Sequence, residues 1–230
     1  MKFALSAIIG VMFIALCVPA EAVLMNYFNY AVEDAMVDSA RTLTNFGADE
    51  QLSIQGYADF PAIYSLGAVR RVFLKFDLSA IPDSAEIVGA EFGVYFTHGN
   101  PGGASTVDPH AALYLVNDNS WEEMAITWES KPDFVDGTID TEKAMVGAGY
   151  YKWNLLSDLG QNRWADYQLN LQSNYLSLML VVPDEDFNNF AIFNSSEAAG
   201  NQPYLSVTYV PEPATLMLLG LGGLVLRRRK

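Results

Sequence analysis

The chain has 230 residues, 51% of them hydrophobic, with 27 Asp and Glu against 13 Lys and Arg and a formal net charge of −14. So acidic a composition argues against nucleic-acid phosphate and polyanionic lipid as partners, since both need a cationic footprint, and leaves divalent cations and neutral or cationic polymers. The single cysteine, Cys17, lies in the apolar N-terminal stretch, so the rest of the chain has no disulfide, zinc–thiolate site or cysteine nucleophile.

Met1-Lys2 is a short basic start, residues 3–18 form an apolar run, and Ala20 and Ala22 put small residues at the two positions a signal peptidase reads. Residues 1–22 are therefore expected to be a signal peptide, with the mature chain starting near Val23. Residues 23–209 suit one domain better than two. Between the two ends, residues 23–210 keep 8 Lys and Arg against 25 Asp and Glu, a net charge of −17.

Within that domain, Glu33-Asp34-Ala35-Met36-Val37 reads as an edge strand, and the loop from Gly56 to Gly67 holds Tyr57, Phe60 and Tyr64 outside any regular rhythm. Val72, Leu74 and Phe76 alternate with Phe73 and Lys75, and Ile87, Phe92, Val94 and Phe96 mark a longer strand. His98-Gly99-Asn100-Pro101-Gly102-Gly103 reads as the loop after it. Ala112, Tyr114 and Val116 alternate with Leu113 and Leu115, the pattern of a strand buried on both faces. A short helix is expected over residues 156–168, where Leu156, Leu159, Arg163 and Trp164 fall at helical spacing behind the capping candidates Ser157 and Asp158. Leu176, Leu178, Leu180 and Val182 have a period of two, and Leu205, Val207 and Tyr209 form the last strand. Short alternating strands separated by Gly, Pro, Asn and Asp predict an all-β sandwich or barrel.

The C-terminus is of another kind. Pro211-Glu212-Pro213 precedes an apolar run over 214–226, then Arg227, Arg228, Arg229 and Lys230. As a helix the run is about 20 Å long against a hydrocarbon core of about 30 Å, a marginal span, and the terminal cations belong on the cytoplasmic side. This order of features resembles the PEP-CTERM sorting domain of Gram-negative bacteria, over residues 210–230. The resemblance implies transient inner-membrane insertion through the C-terminal helix, cleavage by an exosortase near Pro211-Glu212-Pro213, and release toward an exopolysaccharide-rich surface matrix. A permanent C-terminal anchor is the alternative reading.

A second resemblance rests on motifs in the domain. Asp34-Ala35-Met36-Val37, Asn45-Phe46-Gly47, Arg70-Arg71-Val72-Phe73-Leu74-Lys75-Phe76-Asp77-Leu78-Ser79-Ala80-Ile81-Pro82, Trp121-Glu122-Glu123-Met124-Ala125-Ile126-Thr127-Trp128, Lys152-Trp153-Asn154-Leu155, Gln161 with Trp164, and Pro203-Tyr204-Leu205-Ser206-Val207-Thr208-Tyr209 occur in that order. They are similar to the DNRLRE module of secreted bacterial and archaeal surface proteins, which implies a jelly-roll-like β-sandwich related to carbohydrate-binding modules. The sequence departs from that module after Asn154, and at Asn194-Ser195-Ser196-Glu197, where an arginine and its ionic contact are missing.

The Trp128 and Trp153 rings lie in the hydrophobic rhythm and are expected in the core rather than as sugar platforms. Arg70 and Arg71, near Asp77, are expected in structural ion pairs rather than on a carboxylated sugar. Better platforms are aromatics outside the rhythm, Tyr57, Phe60, Tyr64, Tyr150 and Tyr151, because an exposed ring stacks on the C–H face of a sugar. Asp184-Glu185-Asp186 fails as an EF-hand loop, lacking the Gly and the terminal Glu, but a looser structural Ca²⁺ site could use Asp118 and Asn119 or Asp184 and Asp186. For catalysis, His98 and His110 have no nucleophile or paired-histidine context, and Glu122 and Glu123, read as neighbours on a strand, would point to opposite faces and could not flank one glycosidic bond. The expected function is that of a non-catalytic, secreted protein of the cell surface or exopolysaccharide matrix that binds glycan, with exosortase and signal peptidase as partners during export. A purely structural matrix protein and a polysaccharide lyase or hydrolase are the other readings.

Overall fold

Period-two alternation here builds eleven strands, all paired antiparallel, and no helix among the described residues, which in this computed structural model are 23–56, 68–100, 108–156, 174–183 and 189–211. The strands are β1 (Met25–Tyr30), β2 (Glu33–Asp38), β3 (Gln51–Gln55), β4 (Arg70–Asp77), β5 (Glu86–Asn100), β6 (His110–Leu115), β7 (Ile139–Ala144), β8 (Gly149–Asn154), β9 (Tyr175–Val181), β10 (Phe190–Asn194) and β11 (Tyr204–Val210). One layer runs β2–β4–β9–β6–β7. In the other, the 15-residue β5 pairs with β8 on one edge and with β11 and then β10 on the other, with β1 outside β11 and β3 outside β10. The pair Gln55–Arg70 joins the two layers.

The layers close face to face because each offers one apolar side. Val72, Leu74 and Phe76 of β4, Leu176, Leu178 and Leu180 of β9, and Leu113 and Leu115 of β6 pack against Phe92, Val94 and Phe96 of β5, Leu205 and Val207 of β11, and Trp153 of β8. Phe76 meets Phe92 edge-on across the core with ring centroids 5.9 Å apart, and Phe92 meets Trp153 at 5.7 Å. This is the expected β-sandwich.

The outer faces of the two layers differ. On the β2–β4–β9–β6 layer, Ala35, Val37, Phe73, Ala112, Met179 and Val181 form a second apolar cluster covered by Trp121 and Ile126, with Trp128 and Phe134 at its margin. The connection between β6 and β7 therefore caps this side, which is why β6 is buried on both faces. Asn45 holds that cap, its amide donating to the carbonyls of Glu123 at 2.7 Å and Ile126 at 2.8 Å. Gly47 lies so close to the Glu123 backbone that a Cβ there would collide with it. The outer face of the β1–β11–β5–β8 layer instead carries exposed aromatic residues.

Several expectations change. His98, Gly99 and Asn100 belong to β5, not to a loop, because β10 extends the pairing. Arg70 pairs with Asp38 at 3.1 Å rather than with Asp77, since Arg70 and Asp77 are opposite ends of β4; Arg71 stacks over the Trp128 and Phe134 rings. Glu122 and Glu123 lie on a turn, closed by Ile126 N–H donating to the Glu122 carbonyl at 2.9 Å, rather than on a strand. The helix expected over 156–168 lies outside the described residues apart from Leu156, as do the signal segment and the apolar tail. Among the described residues no helix is long and apolar enough to cross a membrane.

Candidate functional site

Strand register decides which residues share the uncapped face. Tyr30 of β1, Tyr204 of β11, Gly93 of β5 and Lys152 of β8 fall in one cross-strand row, because Tyr30 pairs with Tyr204, Tyr204 with Gly93 and Gly93 with Lys152. The next row is Phe28, Ser206, Glu91 and Asn154, and on the other side Tyr95 pairs with Tyr150. Alternation turns their neighbours Tyr27, Phe92, Val94, Tyr151, Trp153, Leu205 and Val207 toward the core. Four strands at roughly 4.8 Å spacing make this face about 14 Å across.

The face is built around Tyr204. Its ring lies over Gly93, where a Cβ would be well inside contact with Cε1, Cζ and Oη, so glycine is what lets the ring lie down on the sheet. Phe28 stacks on it at 5.1 Å with an interplanar angle of 24°, and Tyr150 meets it edge-on at 5.4 Å. Tyr30 is edge-on to Phe28 at 5.3 Å, and Tyr95 to Tyr150 at 5.3 Å. Tyr204 is thereby buried, while Phe28, Tyr30 and Tyr150 remain 55%, 47% and 39% exposed. The resulting surface is apolar and accessible.

Polar groups sit at its edge. The Tyr204 hydroxyl donates to Glu91 Oε1 at 2.9 Å, and Lys152 Nζ is 2.9 Å from the same oxygen. The bond to Glu91 and the contact with Tyr204 raise the Lys152 pKa. Burial, helped by neighbouring phenols, raises that of Tyr150, and burial together with Glu91 raises that of Tyr204. At neutral pH Tyr150 and Tyr204 are therefore neutral phenols, able to stack and to exchange hydrogen bonds, and the Lys152 cation is matched by the Glu91 carboxylate. A sugar has the complementary chemistry: an apolar C–H face beside hydroxyls.

Of the aromatics expected as platforms, Tyr150 is on this face. Tyr151 is not, because adjacent strand residues point oppositely; it packs edge-on against Phe96 at 5.8 Å, and its hydroxyl accepts from Val146 N–H at 2.8 Å and Gly147 N–H at 3.1 Å. Tyr57, Phe60 and Tyr64 lie outside the described residues, as do Asp184 and Asp186, Ala20 and Ala22, and all of the tail motif after Pro211. Asp118 accepts the Ser120 N–H at 2.7 Å and Ser120 hydroxyl at 3.0 Å, bonds that lower its pKa, and Asn119 donates to the Tyr175 carbonyl at 2.7 Å. Trp153 is fully buried and Trp128 half-buried. Phe28, Tyr30, Tyr95 and Tyr204 escaped notice because they come from three different strands; the alternation of Tyr27-Phe28-Asn29-Tyr30 was the available signal.

The model of carbohydrate-binding module family 96 matches residues 26–209, the whole sandwich from β1 to β11. The chain belongs to that family. Residues 210–230 match the PEP-CTERM protein-sorting motif, which marks the family 96 domain as exported toward the cell surface or the extracellular space. The chain is 27% identical to a gellan lyase of a Bacillus species over 152 residues, which are 65% of this chain and 6% of that enzyme. It therefore spans a small fraction of that relative's length. Among solved structures, a chain of the cryo-EM structure of broad bean stain virus aligns over 84% of this chain and 88% of its own at 11% identity, with a TM-score of 0.19.

Proposed function

We propose that this family 96 domain is a non-catalytic glycan-binding module whose binding surface is the outer face of β1–β11–β5–β8. The observation that carries the reading is the exposed set Phe28, Tyr30 and Tyr150 packed around Tyr204, with Glu91 and Lys152 alongside. With its cation matched by a carboxylate on a strongly acidic domain, the face suits a neutral polysaccharide better than a polyanionic one. The signal peptide and sorting motif deliver the module: signal peptidase cuts after Ala22, the tail dwells briefly in the inner membrane, and an exosortase cuts near Pro211-Glu212-Pro213. Bound glycan then holds the protein in the surface matrix. The similarity to a gellan lyase spans 6% of that enzyme, too little to carry its activity over to this chain.

Affinity electrophoresis of the purified protein in gels holding neutral, cationic or uronic-acid polysaccharides tests this. Retardation by a neutral polysaccharide is expected. Free migration in every lane would leave a structural matrix protein as the function.

A further inference from the structure

Three carboxylates from distant parts of the chain meet beside β2, the edge strand of the capped layer. One oxygen each from Asp34 of β2, Glu123 of the cap and Glu197 after β10 lies within 4.8 Å of the other two. Two oxygens on opposite sides of a Ca²⁺ ion, each at 2.3–2.6 Å, are roughly 4.6–5.2 Å apart, so the spread fits one coordination sphere. Each carboxylate is oriented by its neighbours: Asp34 N–H donates to Glu123 Oε1 at 2.9 Å, Ser196 N–H to Asp34 Oδ2 at 2.7 Å, and the Ser196 hydroxyl to Glu197 Oε1 at 2.9 Å. Such outer contacts are what fix ligands around a metal.

The cluster carries a second sign of a ligand. Asp34 is 1% exposed, its carboxylate directed at the two glutamates, and its Oδ1 finds no donor among the described residues. A buried carboxylate oxygen left without a partner is costly. The nearby cation does not fill the role: Lys75 Nζ is 2.9 Å from Glu33 Oε2 and also donates to the Trp121 carbonyl. Burial, opposed by the Ser196 N–H but joined by the charges of Glu197 and Glu123, pushes the Asp34 carboxyl up to about 7. Burial likewise raises Glu123. An all-oxygen, carboxylate-rich donor set selects a hard divalent cation, and Glu197, the exposed member, leaves a way in.

We propose that Asp34, Glu123 and Glu197 bind one Ca²⁺ ion that ties together β2, the cap and the connection from β10 to β11. Water completes the coordination. The ion also bears on the opposite face of the sandwich by way of that connection, since the Ser196 carbonyl accepts from the Gln202 side chain and the Gln202 carbonyl accepts from the Tyr150 hydroxyl at 3.2 Å.

The test is thermal unfolding of the purified protein after chelation, with Ca²⁺ or Mg²⁺ then added to about 1 mM, together with bound-calcium analysis. For a site of about 10 μM affinity, Ca²⁺ raises Tm by about 5–10 °C. Asp34→Asn should fold with a Tm in chelator no lower than the parent, because it removes the buried charge, yet gain nothing from Ca²⁺; Glu197→Gln should blunt the Ca²⁺ response. A parent with no Ca²⁺-dependent shift and no bound calcium overturns the proposal, as does a shift that survives in Asp34→Asn. An equal response to Mg²⁺ would overturn the assignment to calcium. None of these readouts depends on glycan binding.

Discussion

Gly93→Ala is a small change with a consequence that can be worked out from the geometry. The new Cβ would enter the Tyr204 ring, and the ring has little room to yield, held by the stack on Phe28, the edge of Tyr150 and the bond to Glu91. Overpacking of this kind costs about 1–3 kcal/mol. Replacing glycine by alanine in a strand returns about 0.5–1 kcal/mol. The net loss is about 0–2.5 kcal/mol, or up to roughly 10 °C in Tm at about 2–4 °C per kcal/mol for a domain of this size. Urea unfolding followed by tryptophan fluorescence measures it, and a double-mutant cycle with Tyr204→Ala isolates the cause. Without the Tyr204 ring, Gly93→Ala should be neutral or stabilising. The same cost in both backgrounds would refute the claim that glycine is there to seat Tyr204.

Other predictions concern the rest of the sandwich. Burial alone would raise the Asp38 pKa, but the Ala40 N–H, Arg41 and Arg70 outweigh it and hold it below the usual carboxylate range. A depressed folded-state pKa gives stability that is present above the unfolded pKa of about 3.9 and lost as pH falls through the folded value. Asp38→Asn should therefore be less stable than the parent by about 2–3 kcal/mol at pH 7, with the gap closing below about pH 4; a gap unchanged at pH 2 would contradict this pairing. Tyr151→Phe should lose about 1 kcal/mol, since its hydroxyl ties down the Val146 and Gly147 amides, while leaving glycan affinity unchanged in gel retardation. Trp153→Ala, which empties the centre of the core, should cost about 3–5 kcal/mol in denaturant unfolding.

The strands that bury one clean face were legible in the sequence. Val72, Leu74 and Phe76, or Leu176, Leu178 and Leu180, show a period of two because the opposite layer covers that side. The double burial of β6 was also visible, although what covers its second face, the Trp121–Ile126 cap, could only come from tertiary structure. β7 was obscure because Ile139-Asp140-Thr141-Glu142-Lys143-Ala144 is largely polar and partners only β6. The aromatic face proposed to bind glycan was half legible: Tyr150 stood out, but its partners arrive from β1, β5 and β11 through register alone. Nothing local could reveal the carboxylate cluster, whose Asp34 and Glu123 are 89 positions apart. Its trace was the departure at Asn194-Ser195-Ser196-Glu197, where the Ser196 N–H donates to Asp34 and Glu197 supplies the third carboxylate.

The most direct measurement is the affinity of the purified protein for the polysaccharide that retards it, compared across Phe28→Ala, Tyr150→Ala and the control Tyr175→Ala, an exposed aromatic on the other layer. Each of the first two should weaken binding about tenfold, equivalent to about 1.4 kcal/mol, with Tm changed little, and the control should bind as the parent does. Equal affinity in all four proteins would contradict the assignment of the β1–β11–β5–β8 face as the glycan-binding surface.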